Sequence, residues 1–174
     1  MKKKRWSFVA MILVVTMFVT GCAGGGNTDS DAVSAELPKF TNDAETVATD
    51  YDVIVVGSDP EGIAAALSAA RNGMKTLLLS KDATPGGLYT LGALNFIDIP
   101  ETRDGKTLVA GIYKEFVDQV GGSGFDIVHA ANVFHDMLTG EENLTVRYSS
   151  VFKEPVMNGT TITGVVATEG DKDV

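Results

Sequence analysis

The sequence predicts an α/β fold, a parallel sheet with flanking helices that ends in a β-hairpin, and three observations predict it. Val53 to Val56 is an apolar run followed by a glycine-bearing turn, a helix of small residues and a second apolar run, Thr76 to Leu79. That order is the strand, loop, helix and strand of a βαβ unit. Leu144 to Tyr148 reads as a third parallel strand, reached after two amphipathic helical patterns. Phe152 to Met157 and Thr160 to Ala167 are β-rich runs separated by Asn158-Gly159, a dipeptide whose residues both accept positive φ in a tight hairpin turn.

The helices follow from periodicity and punctuation. The first runs from about Pro60 to Asn72, with Ile63, Ala64, Leu67 and Ala70 on one face and Gly73 as its stop. Its alanines keep it slim enough to lie close against a sheet. Ser80 to Gly87 is a loop ending in Pro85-Gly86-Gly87, and Leu88 to Pro100 is expected to be a buried irregular or short helical segment. Thr107 to Val120 carries a stripe of Leu108, Val109, Ile112, Phe116, Val117 and Val120. After a glycine loop, Asp126 to Thr139 forms another helix with Ile127, Ala130, Ala131, Phe134 and Leu138 inward.

The start of the chain has a different character. Lys2, Lys3, Lys4 and Arg5 precede an apolar stretch, Trp6 to Val19, which is short for a membrane span. It ends in Val19-Thr20-Gly21-Cys22, which resembles the lipobox of bacterial lipoproteins. That resemblance implies a signal peptide over residues 1–21, cleavage before Cys22, and lipid on its sulfur, so that the exported protein is anchored to the bacterial cell membrane. The competing reading is an ordinary signal peptide with a chance cysteine. Residues 22–50, rich in Gly, Asp, Ser and Thr without periodicity, are expected to be a flexible tether. The folded part is expected over 51–174.

Cys22 is the only cysteine, which excludes a disulfide, a dithiol redox centre and a cysteine metal site in the folded part. Without residues 1–21 the chain holds 10 basic and 23 acidic side chains, a net charge of −13. Such a chain avoids nucleic acid and anionic lipid headgroups, so lipid on Cys22, not charge, would be its link to the membrane. His129 and His135 fall on different faces of one helix and are expected to be surface or packing residues, and no metal site is expected. No spacing of carboxylates, and no Ser/His/Asp set, marks a catalytic side chain.

The chemistry sits in the first loop. A G-x-G-x-x-G turn between a strand and a helix lets backbone amides approach a pyrophosphate at the helix N-terminus. Here the turn reads Gly57-Ser58-Asp59-Pro60-Glu61-Gly62, with Asp59 in place of the second glycine. Gly57, Gly62, Ala66 and Gly73 fall on the spacing of an extended fingerprint, and a Gly-Gly pair, Gly86-Gly87, follows the second strand. In these features residues 51–95 resemble the Rossmann-like domain of FAD-dependent oxidoreductases of the glutathione-reductase type, and the order of elements extends the resemblance to roughly residue 170.

The resemblance implies FAD as cofactor, with Gly57, Ser58, Asp59, Gly62, Ser80, Lys81, Gly86 and Gly87 as the candidate binding residues. Ser80 stands where the family places an acidic residue that accepts from the adenosine ribose, and offers a hydroxyl without the charge. Asp59 is expected at the helix N-cap, accepting from amides near Gly62 and so competing with phosphate. A helix cap with no bearing on a ligand is the alternative for Asp59. The family completes its cofactor site with later strands, so the chain is expected to be incomplete relative to the family: a truncated reading frame, a fragment or a degenerate copy. As a whole it reads as the N-terminal FAD-binding portion of a membrane-anchored oxidoreductase, the substrate and electron acceptor being undetermined. The alternative is a non-catalytic lipoprotein of the same fold that binds an adenine nucleotide, or no cofactor; a two-lobed solute-binding lipoprotein needs more chain.

Overall fold

A computed structural model describes residues 36–42 and 50–173. Strands β1 (Val53–Val56), β2 (Thr76–Leu79) and β3 (Leu144–Arg147) form a parallel sheet with β2 in the centre. The register pairs Val53 with Thr76 and Leu79 with Arg147, so the carboxyl ends of all three strands lie together. Helix α1 (Pro60–Arg71) makes the β1–β2 crossover. It ends as its sequence predicts: Gly73 takes a φ of 82°, its N–H donates to Ala70, and the Met74 N–H reaches back to Ala69, the paired bonds of a Schellman motif. Helices α2 (Gly111–Val120) and α3 (Ile127–Thr139) complete the layer on that face. Asp126 caps α3 by accepting from the His129 N–H at 2.9 Å.

The main core lies between this layer and the sheet. Ile63, Leu67, Leu78, Phe116, Phe134 and Leu138 are all buried there. The rings of Phe116 and Phe134 stack with centroids 4.3 Å apart, and Phe125 meets Phe116 edge-on at 5.6 Å. Arg71 braces the rim, with two hydrogen bonds to Glu115 on α2 and one of 2.6 Å to Glu141 beyond α3.

The other face of the sheet is covered by a second, antiparallel sheet. Strand β4 (Ser150–Asn158) pairs with β5 (Thr161–Glu169), which pairs with the short β6 (Lys172–Asp173). Leu77 and Leu79 pack against Ala167 there, with Ile54 and Val165 beside them. Pro155 sits in β4, an edge strand with two irregularities of register, where a missing N–H is tolerated. Arg147 holds the root of the hairpin through a bidentate ion pair to Glu169, which also accepts from the Ser150 hydroxyl at 2.7 Å.

Four expectations are corrected. The hairpin turn is Gly159-Thr160, one residue later than Asn158-Gly159: Asn158 pairs with Thr161, and Gly159 has a φ of 61° while Thr160 is not in the positive-φ region. Glycine first with one positive φ matches the II′ pattern, not the I′ pattern that Asn-Gly suggests. Helix α2 starts at Gly111, not Thr107. Thr107 bridges back to Glu101 and the Leu108 N–H donates to Pro100, so a preceding loop has claimed both residues. Within Leu88 to Pro100 only Thr90 and Ile97 are buried, whereas Leu88, Leu91, Leu94 and Phe96 are exposed. Finally, residues 36–42, expected within the tether, lie against the domain through the hydrogen bonds and ring stacking detailed below. The rest of the 22–50 stretch lies outside the described residues, apart from Asp50.

Candidate functional site

The site is built where β1 gives way to α1. Gly57 turns the chain with a φ of 110°, a conformation costly for any residue with a Cβ. Gly62 lets the helix lie on that turn: a Cβ there would stand 2.0 Å from the Gly57 carbonyl oxygen. The first helical hydrogen bond runs from the Ile63 N–H to the Asp59 carbonyl, at 2.9 Å. The amides of Glu61 and Gly62 therefore have no acceptor among the described residues, and Pro60 has no N–H to offer.

Asp59 occupies the N-cap position, but its side chain makes no cap hydrogen bond, which corrects the expectation that it takes the amides near Gly62. Its carboxylate turns towards Gly87 instead. An ideal Cβ on Gly87 would lie 1.8 Å from Asp59 Oδ1, so the absence of a side chain at 87 makes room for the one at 59. Gly86 has another reason to be glycine. Its Cβ would meet the Phe134 ring at 2.6 Å, and its N–H donates to the Ser58 carbonyl at 2.8 Å, joining this loop to the glycine turn.

Ser58 and Ser80 are both buried, with hydroxyl oxygens 2.7 Å apart. Ser80 donates to the Asp82 carbonyl at 2.7 Å, which leaves Ser58 as the donor between the two hydroxyls. Ser80 thus ties the ends of β1 and β2 together, and with none of its surface exposed it presents no hydroxyl to the solvent side of the loop.

Two hollows open on this turn and share Val56, Gly57 and Asp59. The larger, ≈ 510 Å³, is completed by Pro60, Glu61, Gly62, Leu88 and Tyr89. The smaller, ≈ 270 Å³, runs across the carboxyl ends of the strands past Leu79, Lys81, Asp82, Gly87 and Ser150 to Phe152. The structure thus brings Gly57, Ser58, Asp59, Gly62, Lys81 and Gly87 together, with Ser80 and Gly86 directly behind them. Sequence reasoning missed Asp82, Ser150 and Phe152 as lining residues. The available signal was the ends of the second and third strands, because ligands of open α/β sheets bind beyond the carboxyl ends of their strands.

His129 is exposed with Nε2 3.0 Å from the Gln119 carbonyl oxygen, and His135 packs against Phe40. Among the described residues no three His, Cys, Asp or Glu side chains are grouped to hold a metal, and no helix is long and apolar enough to cross a membrane. Cys22 lies outside the described residues.

The residues present fit a dinucleotide. A turn with no side chain at 57, where an added Cβ would meet nothing within 4 Å, leaves backbone open to a pyrophosphate, and the Glu61 and Gly62 amides, without acceptors among the described residues, sit at the positive end of a helix dipole that suits its charge. Lys81 adds a cation at the smaller hollow, while Asp59, Glu61 and Asp82 oppose an anion from the rim.

Comparison with known proteins agrees with this fit. Residues 52–174 match the sequence profile of the family described as FAD dependent oxidoreductase. The chain is similar to a component of the alkyl hydroperoxide reductase of Escherichia coli, 41% identical over 69 residues, which are 40% of this chain and 13% of that one. It is also similar to the thiamine thiazole synthase of Methanococcus maripaludis, 32% identical over 92 residues, 52% of this chain and 35% of the other. The matched region is thus well under two thirds of either relative. Among solved structures, THI4 of Thermovibrio ammonificans aligns with a TM-score of 0.49 at 19% identity, over 69% of this chain and 47% of that one.

Proposed function

This chain belongs to the family of FAD-dependent oxidoreductases, and on that premise we propose that it supplies the FAD-binding fold of a membrane-anchored oxidoreductase. The observation that carries the reading is the turn at Gly57–Gly62: Gly57 leaves its backbone uncovered, Gly62 lets α1 close on it, and among the described residues the Glu61 and Gly62 amides have no acceptor. When bound, FAD supplies the redox chemistry through its isoalloxazine ring.

The chain's own residues hold and orient it. The amides of Glu61 and Gly62 donate to the pyrophosphate, aided by the α1 dipole. Lys81 provides a polar contact along the smaller hollow, while Ser150, buried with its hydroxyl on Glu169, shapes the wall. Leu88 and Tyr89 supply apolar surface that excludes water from the larger one. Cys22 carries the lipid that anchors the protein, a reading supported by the basic residues, the apolar run and the Val-Thr-Gly-Cys ending before it.

The test is a titration of the purified protein with FAD and with ADP, followed by flavin fluorescence and calorimetry, beside Gly57→Ala. Saturable binding that Gly57→Ala weakens is the expected result. Absence of binding to either ligand, or binding indifferent to Gly57, refutes the assignment of the turn.

A further inference from the structure

We propose that residues 36–42 act as a strap that positions the cofactor site from behind, by clamping the loops that leave β2 and β3. The inference rests on the reading of the Gly57–Gly62 turn and its two hollows as the cofactor site.

The strap grips three elements far from it in sequence. On the loop after β2, the Thr84 hydroxyl donates to the Pro38 carbonyl at 2.6 Å, and the Phe40 N–H donates to the Ala83 carbonyl at 2.9 Å. On the turn after β3, the Asn42 side chain brackets the backbone of Tyr148. Its amide donates to the Tyr148 carbonyl at 2.9 Å, and its oxygen accepts from the Tyr148 N–H at 2.6 Å. On α3, the Phe40 ring stacks on His135 with centroids 3.8 Å apart and planes 8° from parallel. His135 Nδ1 is in turn 2.9 Å from the Tyr148 hydroxyl. Ordering an extended segment with no strand or helix partner costs conformational entropy, and these contacts are what offset it.

The clamped loops are the ones that shape the smaller hollow. Asp82 and Ser150 line it, and the two loops are joined by the Ser150 N–H donating to the Ser80 carbonyl at 2.8 Å and the Ser149 N–H donating to the Asp82 carbonyl at 3.3 Å. The β2 loop then continues through buried Thr84 and Pro85 into Gly86, whose N–H holds the Ser58 carbonyl in the glycine turn. A shift of the strap would therefore reach Asp82, Ser150 and the turn without any strap residue lining either hollow. Pro38, Phe40 and Asn42 are positioning residues in this sense.

The test compares the full chain with Phe40→Ala/Asn42→Ala, at a temperature where far-UV circular dichroism shows both folded. Amide hydrogen exchange is expected to accelerate at residues 82–87 and 148–150 in the variant, while the cores of α1 and α3 stay protected. Binding of ADP and FAD is expected to weaken about tenfold, the scale on which loss of supporting contacts behind a site is felt. Phe40→Tyr, which keeps the stacked ring, restores affinity, and Lys39→Ala, which breaks only the exposed pair with Glu36, changes nothing. If the double variant does not fold, Thr84→Val removes only the bridge to Pro38 and is read the same way. Wild-type protein that binds neither ligand overturns the site reading and the inference with it. Wild-type protein that binds, with strap variants binding equally well, overturns the inference alone.

Discussion

The Asp59 carboxylate occupies the space that a side chain at position 87 would need, with Oδ1 1.8 Å from an ideal Gly87 Cβ. Residues 28 positions apart in sequence are thereby matched, the acidic residue in the fingerprint being accommodated by a glycine in the next loop. Gly87→Ala must displace that carboxylate as well as strain a backbone with a φ of 46°, at a cost of about 1–3 kcal/mol. In an Asp59→Gly background the carboxylate clash is gone, leaving the strain and a 3.2 Å contact with the residue 59 Cα. Chemical denaturation of the two single variants and the double variant should show a coupling of about 1 kcal/mol. Additive effects would mean that the two positions do not meet.

Because Asp59 makes no cap hydrogen bond, its effect on a bound pyrophosphate is that of an exposed charge near the helix terminus. Asp59→Asn should tighten ADP and FAD binding by roughly two- to fivefold at low ionic strength, corresponding to about 0.3–1 kcal/mol, with little change in Tm. The gain should fade in high salt, where exposed charges are screened. Calorimetric titration at two salt concentrations checks it. An unchanged affinity would place Asp59 out of reach of the ligand, and a weakened one would make it a ligand contact.

Gly62 is fixed by sterics. A Cβ 2.0 Å from the Gly57 oxygen forces α1 away from the turn, so Gly62→Ala should destabilise by about 3 kcal/mol or more and abolish ligand binding. Gly73→Ala, where nothing lies within 4 Å of the added Cβ, should cost about 1–2 kcal/mol from its φ of 82° and leave the site intact. Thermal melts and ligand titrations of both variants separate packing from strain.

Stability should fall in acid in two stages. Burial keeps His135 below its usual 6.5, so below that pH the unfolded chain takes up a proton that the folded chain resists, and stability declines. Arg147 holds the Glu169 carboxyl, and Arg71 that of Glu115, below the usual 4.5. Their contribution is complete above pH 4.5 and is lost as pH falls through their lowered values. His135→Phe should flatten the upper stage and Glu169→Gln the lower, the latter also costing about 1–3 kcal/mol at neutral pH by leaving the Arg147 pair broken. Urea titrations from about pH 2 to pH 8 resolve the two.

If Cys22 carries lipid, the protein expressed in a bacterium should partition with membranes, and Cys22→Ser should release it to the soluble fraction. Identical soluble behaviour of both forms would remove the anchor from the proposal.

The sequence alone determined the elements whose signals are local. Apolar runs of four residues bounded by turns gave β1 and β2, Asp59-Pro60 and Gly73 bounded α1, and the stripe of Phe116, Val117 and Val120 marked α2. The fingerprint glycines located the site, because Gly57 and Gly62 answer to a backbone turn and a close approach within six residues. What only the tertiary structure decided depends on partners distant in the chain. Asn42 lies against Tyr148 across 106 positions, so no window of sequence distinguishes a strap from a tether. Asp59 points away from its own helix because Gly87 leaves room, and Ser80 turns inward because Ser58 meets it. Leu88, Leu91, Leu94 and Phe96 look like core by composition, yet they are exposed: hydrophobicity records what a residue gains from burial, whereas the packed helices and sheets settle which residues are covered.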